Sequence, residues 1–181
     1  MIAPIEALDA RVLEYLFAAR TAGGVELFTG ITAWSEWTII LPAAAAIAAA
    51  SYLAARRQEV IGMLVSVFGS ALAVLILKYA IARPRPPVSF WAIQETGPSF
   101  PSAHAALAVA FWGFIAYVIY RNTKNHAVRI GAIAAATLIS LLVGFSRLYL
   151  GVHYVSDVLA GFFVGAIFLF VGIIAARRPR A

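Results

Sequence analysis

Two histidines and one aspartate are the side chains of this sequence with the clearest capacity for chemistry. His104 lies in the stretch PSAH, residues 101–104, at the mouth of a long apolar run. His153 and Asp157 are four residues apart, so they share a face if a helix begins that early. A carboxylate that binds one ring nitrogen fixes the histidine tautomer and leaves the other nitrogen free to attack. We therefore predict His153 as a nucleophile, Asp157 as its partner and His104, which has no matching acid, as a general acid.

The basic residues near these histidines are suited to binding a phosphate group. Lys78, Arg85 and Arg147 can spread their donors across the phosphate oxygens, and the planar fork of arginine matches these oxygens especially well. A helix that begins near Ser102 would add the serine hydroxyl and the amide of Ala103, because helix N-termini carry free N–H groups and a positive dipole end. Together with the histidines, these residues predict phosphoryl transfer through a covalent phosphohistidine.

Acidic residues and cysteines are scarce around these groups. Glu95 and Asp157 are the only acids near them in the sequence, which predicts no acidic cluster for magnesium. The chain has no cysteine, so thiolate nucleophiles and zinc–cysteine sites are excluded. We therefore predict a metal-independent mechanism without a cofactor. Glu95 is expected to be a solvated loop acid, Arg83 a structural or lipid-headgroup residue, and Tyr149 an aromatic residue of the membrane interface.

The composition places these residues in a membrane protein. Of the 181 residues, 63% are hydrophobic and only 12% are charged, whereas about a quarter of a soluble domain is charged. The net charge of +6 would suggest nucleic acid in a soluble chain. Here the basic residues flank apolar segments, where membrane topology and anionic lipids explain them better. We predict a single domain over residues 1–181 whose partner is the bilayer, and not a nucleic acid.

Apolar segments of membrane-spanning length recur along the chain and predict an all-α, polytopic transmembrane helix bundle. We expect five spans, at residues 37–55, 60–81, 102–120, 130–148 and 157–176. Residues 4–20 place apolar side chains at helical spacing and predict an amphipathic helix, so residues 1–36 are interpreted as an interfacial N-terminal segment. A sixth span would result if residues 25–36 belonged to a span of their own. The pattern GFFVG, residues 161–165, permits close helix contact within the chain or between chains.

The distribution of charge predicts the orientation of the bundle. With five spans, the segments at one end carry eight basic residues and one acid, whereas those at the other end carry six basic residues and seven acids. The positive-inside rule places the first end in the cytoplasm. We therefore predict a multi-pass protein of the cell membrane whose two motif histidines lie on the extracytoplasmic side.

Three motifs, in this order, resemble the signature of a known family. Lys78, Arg85 and Pro86 read K-x6-R-P, the stretch PSAH is similar to P-S-G-H, and SRLYLGVHYVSD, residues 146–157, reads S-R-x5-H-x3-D. Together they resemble the type 2 phosphatidic acid phosphatase (lipid phosphate phosphatase) superfamily. The motifs cover residues 78–157, less than half of the chain, but their ten specified positions in fixed order are highly specific.

The resemblance implies a role for each matching residue. It implies that Lys78, Arg85, Ser102 and Arg147 bind phosphate, that His104 is the acid, that His153 is the nucleophile and that Asp157 is its partner. Ala103 stands where the common motif has glycine. Alanine would be unfavourable there if the position required a positive φ angle, but not if it lies in the first helical turn, which is what we expect.

The substrate is the less specific part of this interpretation. The small membrane chain is similar to bacterial enzymes that recycle undecaprenyl diphosphate in the cell envelope, so this lipid is the predicted substrate. Phosphatidylglycerophosphate and phosphatidic acid are the alternatives. A lipid phosphotransferase would share every motif. A non-catalytic carrier of phosphorylated lipids would need the basic residues, but it would have no use for a His–Asp pair and a second histidine.

Overall fold

The computed structural model of the chain describes residues 3–53 and 55–177. Within these ranges the regular structure is helical and no strand occurs, which confirms the all-α prediction. The α-helices are α1 (Ala3–Ala18), α2 (Ala22–Ala33), α3 (Trp37–Leu53), α4 (Arg57–Ile81), α5 (Ala103–Asn122), α6 (His126–Tyr149) and α7 (Val155–Ala176), and a short 3-10 helix covers Val88–Phe90. Residue 54 of the first predicted span, and Arg178 and Arg180 of the basic terminus, lie outside the described residues.

The helices confirm a transmembrane bundle. α4, α5, α6 and α7 are each long and apolar enough to cross a membrane, and α2 and α3 pass the same test together as a pair bent by 42°. The bundle therefore has up to five spans. The first predicted span differs from the structure, because α3 alone has only 17 residues. The helix is interrupted by a turn before α3, where the Ser35 hydroxyl donates to the carbonyl oxygen of Thr32 at 2.9 Å.

Two ends of the bundle can be distinguished. The C-terminal ends of α4 and α6 and the N-terminal ends of α5 and α7 form what we call the site end, and the opposite ends of the same helices form the basic end. α7 packs closely on α5 near the site end, since a Cβ on Gly161 would lie 2.5 Å from the carbonyl oxygen of Ser102. A Cβ on Gly165 would lie 2.4 Å from that of Ala106. The GFFVG pattern thus packs within the chain.

The N-terminal helix α1 docks on the bundle. Its Leu13 and Leu16 are buried, whereas Leu8 and Phe17 are exposed, so one apolar face meets protein and another is free to meet the bilayer. The connection to α2 is held by Tyr149, whose hydroxyl accepts from the backbone N–H of Thr21 at 2.9 Å. Tyr149 is only 8% exposed. Its predicted place in an aromatic membrane belt is therefore wrong, because the N-terminal segment covers this side chain.

Candidate active site

Four helix ends and two connections bring the predicted residues to the site end. Lys78 lies in the last turn of α4, which stops at Ala82 in the left-handed conformation (φ 50°), before a proline-rich segment. Ser102 caps the N-terminus of α5, and Arg147 lies in the last turn of α6. Asp157 lies in the first turn of α7. Residues distant in sequence thus converge because successive antiparallel spans return the chain to the same side.

The turn after α6 sets the position of His153. Gly151 adopts a positive φ angle of 74°, and a Cβ at this position would lie 2.0 Å from the carbonyl oxygen of Phe90. Glycine alone satisfies both constraints. The backbone N–H of Ala92 donates to the carbonyl oxygen of Leu150 at 2.9 Å, which fastens this turn to the loop between α4 and α5.

His153 and Asp157 form the expected pair. The Nδ1 atom of His153 lies 3.4 Å from Oδ2 of Asp157, and both side chains are buried. The backbone N–H of Tyr154 donates to the same carboxylate oxygen at 2.9 Å. Burial lowers the pKa of His153 to about 4; the hydrogen bond to Asp157 opposes this effect, and the charges of Arg147 and Arg85 add to it. The imidazole is therefore neutral at neutral pH, and its partners assign the proton to Nδ1.

The other nitrogen of this imidazole faces the predicted phosphate site. Nε2 of His153 lies 3.2 Å from Nη1 of Arg85, whose Nη1 also donates to the carbonyl oxygen of Val152 at 2.9 Å. The lone pair of Nε2 is thus directed at a guanidinium group. His104 lies in the first turn of α5, within electrostatic range of His153, Arg85 and Arg147.

Ser102 and Ala103 occupy the start of α5. Ser102 is fully buried and its hydroxyl oxygen accepts from the backbone N–H of Ala105 at 3.5 Å, so its side chain serves as a helix cap. Its own backbone N–H donates to the carbonyl oxygen of Asp157 at 3.0 Å, which ties the start of α5 to α7. Ala103 is the first residue of α5 and does not have a positive φ angle, as expected for the first helical turn.

The loop at residues 95–98 supplies acceptors to the three basic residues of the motifs. Arg85 donates from Nε to the carbonyl oxygen of Gly97 at 3.0 Å and pairs with the Glu95 carboxylate at 3.3 Å. Arg147, which is 1% exposed, pairs with the other carboxylate oxygen of Glu95. The ammonium group of Lys78 donates to the carbonyl oxygen of Pro98. The prediction of Glu95 as a solvated loop acid is wrong, because this loop folds back and places the carboxylate between two arginines.

Arg83 contacts Asp157 on the side of the carboxylate that faces away from His153. Its Nη1 atom donates to Oδ1 of Asp157 at 2.7 Å, and its Nη2 atom donates to Oδ2 of Asp9 at 2.9 Å. Burial acts to lower the pKa of Arg83, but the hydrogen bond to Asp9 and the charge of Asp157 outweigh burial, and the pKa is raised. Of the two interpretations given for Arg83, structural or lipid-headgroup, these contacts favour the structural one.

Comparison with known proteins agrees with this geometry. The sequence profile of the PAP2 superfamily matches residues 59–180. The chain belongs to the PAP2 superfamily. It is 35% identical over 150 residues to phosphatidylglycerophosphatase B of Bacillus subtilis strain 168, covering 81% of this chain and 72% of the relative. It is 32% identical over 148 residues to decaprenylphosphoryl-5-phosphoribose phosphatase of Mycolicibacterium smegmatis, covering 79% and 76% of the two chains.

A solved structure extends the likeness over almost the whole chain. The crystal structure of the transmembrane PAP2-type phosphatidylglycerolphosphate phosphatase from Bacillus subtilis matches with a TM-score of 0.90 at 28% identity. The match covers 98% of this chain and 88% of that one. With the family and these relatives, the chain is a membrane lipid phosphatase, and the resemblance predicted from the three motifs is confirmed.

Sequence reasoning missed two acids and one arginine of this PAP2 phosphatase. Arg83 and Glu95 contact motif residues directly, whereas Asp9 contacts Arg83, which lies 74 residues away in the sequence. Only Arg83 could have been found from local sequence. It lies two residues before Arg85, on a segment that must reach the site for Arg85 to do so. Among the described residues, no group of three or more histidines, cysteines or acids is placed to hold a metal ion. Metal independence stays a prediction.

Proposed function

We propose that this PAP2 phosphatase hydrolyses the phosphate monoester of phosphatidylglycerophosphate through a phosphohistidine intermediate. The relative from Bacillus subtilis bears the name of this activity, and the likeness to the solved phosphatidylglycerolphosphate phosphatase extends beyond the catalytic motifs to the N-terminal helices. This likeness now favours phosphatidylglycerophosphate over undecaprenyl diphosphate, which the sequence alone favoured.

One contact carries the mechanistic part of the proposal. The Arg85 guanidinium touches both Nε2 of His153, at 3.2 Å, and the carboxylate of Glu95, at 3.3 Å. The same carboxylate pairs with Arg147. An anion that takes the place of this carboxylate would therefore lie between two arginines and next to the free nitrogen of His153. A phosphate suits this position, because arginine forks bind its oxygens well.

In the first step, the substrate phosphate replaces the loop acceptors of Lys78, Arg85 and Arg147, and the start of α5 at Ser102 and Ala103 adds its positive dipole end. Nε2 of His153 attacks phosphorus in line as the bond to the lipid oxygen breaks. The basic groups stabilise the charge on the equatorial oxygens.

Proton transfer completes the two halves of the reaction. His104 gives its proton to the departing lipid oxygen, which leaves as the alcohol, phosphatidylglycerol. Asp157 stabilises the positive charge that His153 acquires on attack. His104 then takes a proton from water, whose oxygen attacks the phosphohistidine, so inorganic phosphate leaves and His153 is regenerated.

Undecaprenyl diphosphate is the second candidate substrate. The relative from Mycolicibacterium smegmatis is named for a decaprenylphosphoryl substrate, so polyprenyl-linked phosphates occur among the relatives of this chain. A diphosphate would be cleaved at its terminal phosphate by the same steps, leaving the lipid monophosphate. Phosphatidic acid carries its phosphate directly on the diacylglycerol. It therefore tests whether the enzyme needs the additional headgroup glycerol and phosphodiester of phosphatidylglycerophosphate.

Phosphate release from the purified protein tests both substrate and mechanism. The panel consists of phosphatidylglycerophosphate, undecaprenyl diphosphate and phosphatidic acid, each at equal mole fraction in detergent micelles. We expect the highest kcat/KM with phosphatidylglycerophosphate, and we expect His153→Ala to lower release at least about 10³-fold. His126→Ala, which changes an exposed histidine at the other end of the bundle, is the matched control.

The outcomes separate the competing functions. Full release by His153→Ala would exclude the phosphohistidine, and loss of release on chelation with recovery in magnesium would exclude a metal-independent mechanism. A carrier would bind the lipids, release no phosphate and be indifferent to vanadate. A phosphotransferase would pass the phosphate to an added lipid or sugar alcohol instead of water.

We also propose that the site end faces the extracytoplasmic side of the cell membrane. The basic end carries the excess of lysine and arginine that marks cytoplasmic segments. The chain has no cysteine, so single cysteines can report topology. Val88→Cys at the site end and Lys124→Cys at the basic end both place a thiol at an exposed position. An impermeant maleimide added to intact cells should label only the first, and labelling of only the second would reverse the orientation.

A further inference from the structure

The catalytic carboxylate of the proposed mechanism has a second partner on the side away from the histidine. Oδ2 of Asp157 faces Nδ1 of His153, whereas Oδ1 accepts from Nη1 of Arg83 at 2.7 Å. Arg83 thus occupies the carboxylate oxygen that the histidine leaves free. Its guanidinium also stacks on the ring of Tyr154, 4.3 Å from the ring centroid, which restricts its rotation.

Arg83 is itself held by a residue of the N-terminal helix. Asp9 of α1 is 2% exposed, and its Oδ2 atom accepts from Nη2 of Arg83 at 2.9 Å. Its Oδ1 atom accepts from the backbone N–H of Ser156 at 3.0 Å, and the Ser156 hydroxyl donates to Oδ2. Asp9 therefore bridges Arg83 and the first turn of α7, where a negative charge is favoured by the helix dipole.

The charges in this chain of contacts explain why Asp9 matters for the chemistry. Arg83 alone would compete with the histidine for the single negative charge of Asp157. Asp9 supplies a second negative charge, so the three side chains together keep a net charge of −1 beside His153. The arginines that act on this histidine, Arg85 and Arg147, are both positive. The carboxylate must therefore remain available to offset the charge that develops on the imidazole.

We propose that Asp9 and Arg83 are positioning residues that hold Asp157 in place and charged beside His153, which makes α1 part of the catalytic apparatus. This inference rests on the phosphohistidine mechanism proposed above. It also assigns a catalytic purpose to a helix that lies before the start of the PAP2 match at residue 59. Among the described residues, no side chain of α1 hydrogen-bonds to Lys78, Arg85 or Arg147. The helix acts through two ion pairs in series.

Steady-state kinetics of four variants tests this inference. For Asp9→Asn and Arg83→Gln we expect kcat to fall about 10- to 100-fold, by analogy with metal sites, where removing the hydrogen-bond partner of a ligating side chain has an effect of this size. KM should stay within about threefold, because neither residue touches the substrate. Arg83→Lys, which keeps the charge but not the fork, should recover part of the kcat lost in Arg83→Gln. Glu6→Gln removes an exposed carboxylate from the same helix and should match the wild type.

A double variant separates positioning from mere stabilisation. Because Asp9 acts through Arg83, the Asp9→Asn/Arg83→Gln double variant should have the kcat of Arg83→Gln alone, whereas independent structural defects would add. Elution profile and thermal midpoint in detergent check that each variant folds. If Asp9→Asn does not fold, Arg83→Lys and Arg83→Gln decide, because wild-type kcat in both would overturn the inference.

The same kinetic measurements also distinguish failure of this inference from failure of the proposed phosphatase function. All variants are assayed on whichever lipid of the panel the wild type hydrolyses fastest. An active wild type whose Asp9→Asn variant has the kcat of Glu6→Gln would overturn the positioning role alone, as would a rise in KM with kcat unchanged. A wild type that releases phosphate from none of the three lipids would overturn the proposed function and this inference together.

Discussion

The two ends of the bundle bury acidic side chains in different ways. At the site end, the buried Asp9 and Asp157 and the partly buried Glu95 each pair with at least one arginine. At the basic end, Glu59 is also buried, at 3% exposure, but its Oε1 atom accepts from the side-chain amide of Asn122 at 3.1 Å. Its Oε2 atom has no hydrogen-bond partner within the described residues.

The difference shows that burial of a charge in a membrane bundle does not by itself mark a catalytic group. Ionisable residues at membrane depth are unfavourable at either end and are functional candidates by default. What distinguishes the site end is convergence, because the imidazole of His153 has a carboxylate at one ring nitrogen and a guanidinium at the other. Within the described part of the chain, the hydrogen-bond partner of the Glu59 side chain is an amide.

Asp157→Asn and Glu59→Gln test this comparison with the largest expected effect. Both replace a buried carboxylate with an amide of the same shape. Asp157→Asn should lower kcat about 10³- to 10⁴-fold, because an amide no longer stabilises the charged imidazole or fixes its tautomer. Glu59→Gln should stay within about twofold of the wild type. Phosphate release by the two purified proteins measures both, and equal losses would abolish the distinction between the ends.

Arg147→Lys and Arg121→Lys test the arginines in the same way. Arg147 donates to the Thr32 hydroxyl at 2.8 Å while its other Nη atom pairs with Glu95. A lysine cannot bind Thr32 and also donate to the phosphate that replaces Glu95, so kcat/KM should fall about 10- to 100-fold, the equivalent of one lost charge-assisted hydrogen bond. Arg121, at the basic end, donates to the Tyr117 hydroxyl and to the carbonyl oxygen of Ala176.

The Arg121→Lys control should stay within about twofold of the wild type, since it keeps the charge at an exposed position. A large loss in this control, or wild-type kcat/KM in Arg147→Lys, would mean that fork geometry does not separate the two ends.

The sequence allowed the bundle and the residues of its site end to be predicted for a physical reason. Hydropathy reports span length directly, and antiparallel spans must bring alternate connections to the same side. The motif residues, including His104 and His153, could therefore be assigned to one end without any coordinates. The start of α3 at Trp37 was predicted, but the sequence did not show that α2 and α3 together make one bent span, because the bend depends on a turn at Thr32–Ser35.

The partners of the motif residues could not be predicted from local pattern. The contact between Asp9 and Arg83 joins residues 74 positions apart, and that between Glu95 and Arg147 joins residues 52 apart. Such pairs depend on how loops fold over the finished bundle. The sequence therefore predicts the members of the candidate site better than the residues that hold them in place.

Two glycines test the comparison through helix packing. A Cβ at Gly161 would lie 2.5 Å from the carbonyl oxygen of Ser102, and a Cβ at Gly172 would lie 2.5 Å from that of Gly62, near the basic end. Alanine at either position should lower stability by about 1–3 kcal/mol. Only Gly161→Ala should also lower kcat/KM, by about tenfold, because it displaces the start of α5 from Asp157.

Thermal midpoints in detergent and phosphate release together measure the two glycine variants. Phosphate release by Gly161→Ala and Gly172→Ala is compared at temperatures well below both thermal midpoints. An equal loss of activity in the two variants would show that a packing defect at the basic end also disturbs the site end.

The dependence of stability on pH should also originate at the site end. His153 has a pKa of about 4 in the folded protein, because it is buried, against about 6.5 when unfolded. The unfolded state thus binds one more proton between these values, and stability is lost as the pH falls from 6.5 towards 4. Acidification from pH 7.5 to 5.5 should cost about 1 kcal/mol through this group. The thermal midpoint of the wild type should therefore drop more over this interval than that of His153→Gln, and parallel decreases would place the acid sensitivity elsewhere in the chain.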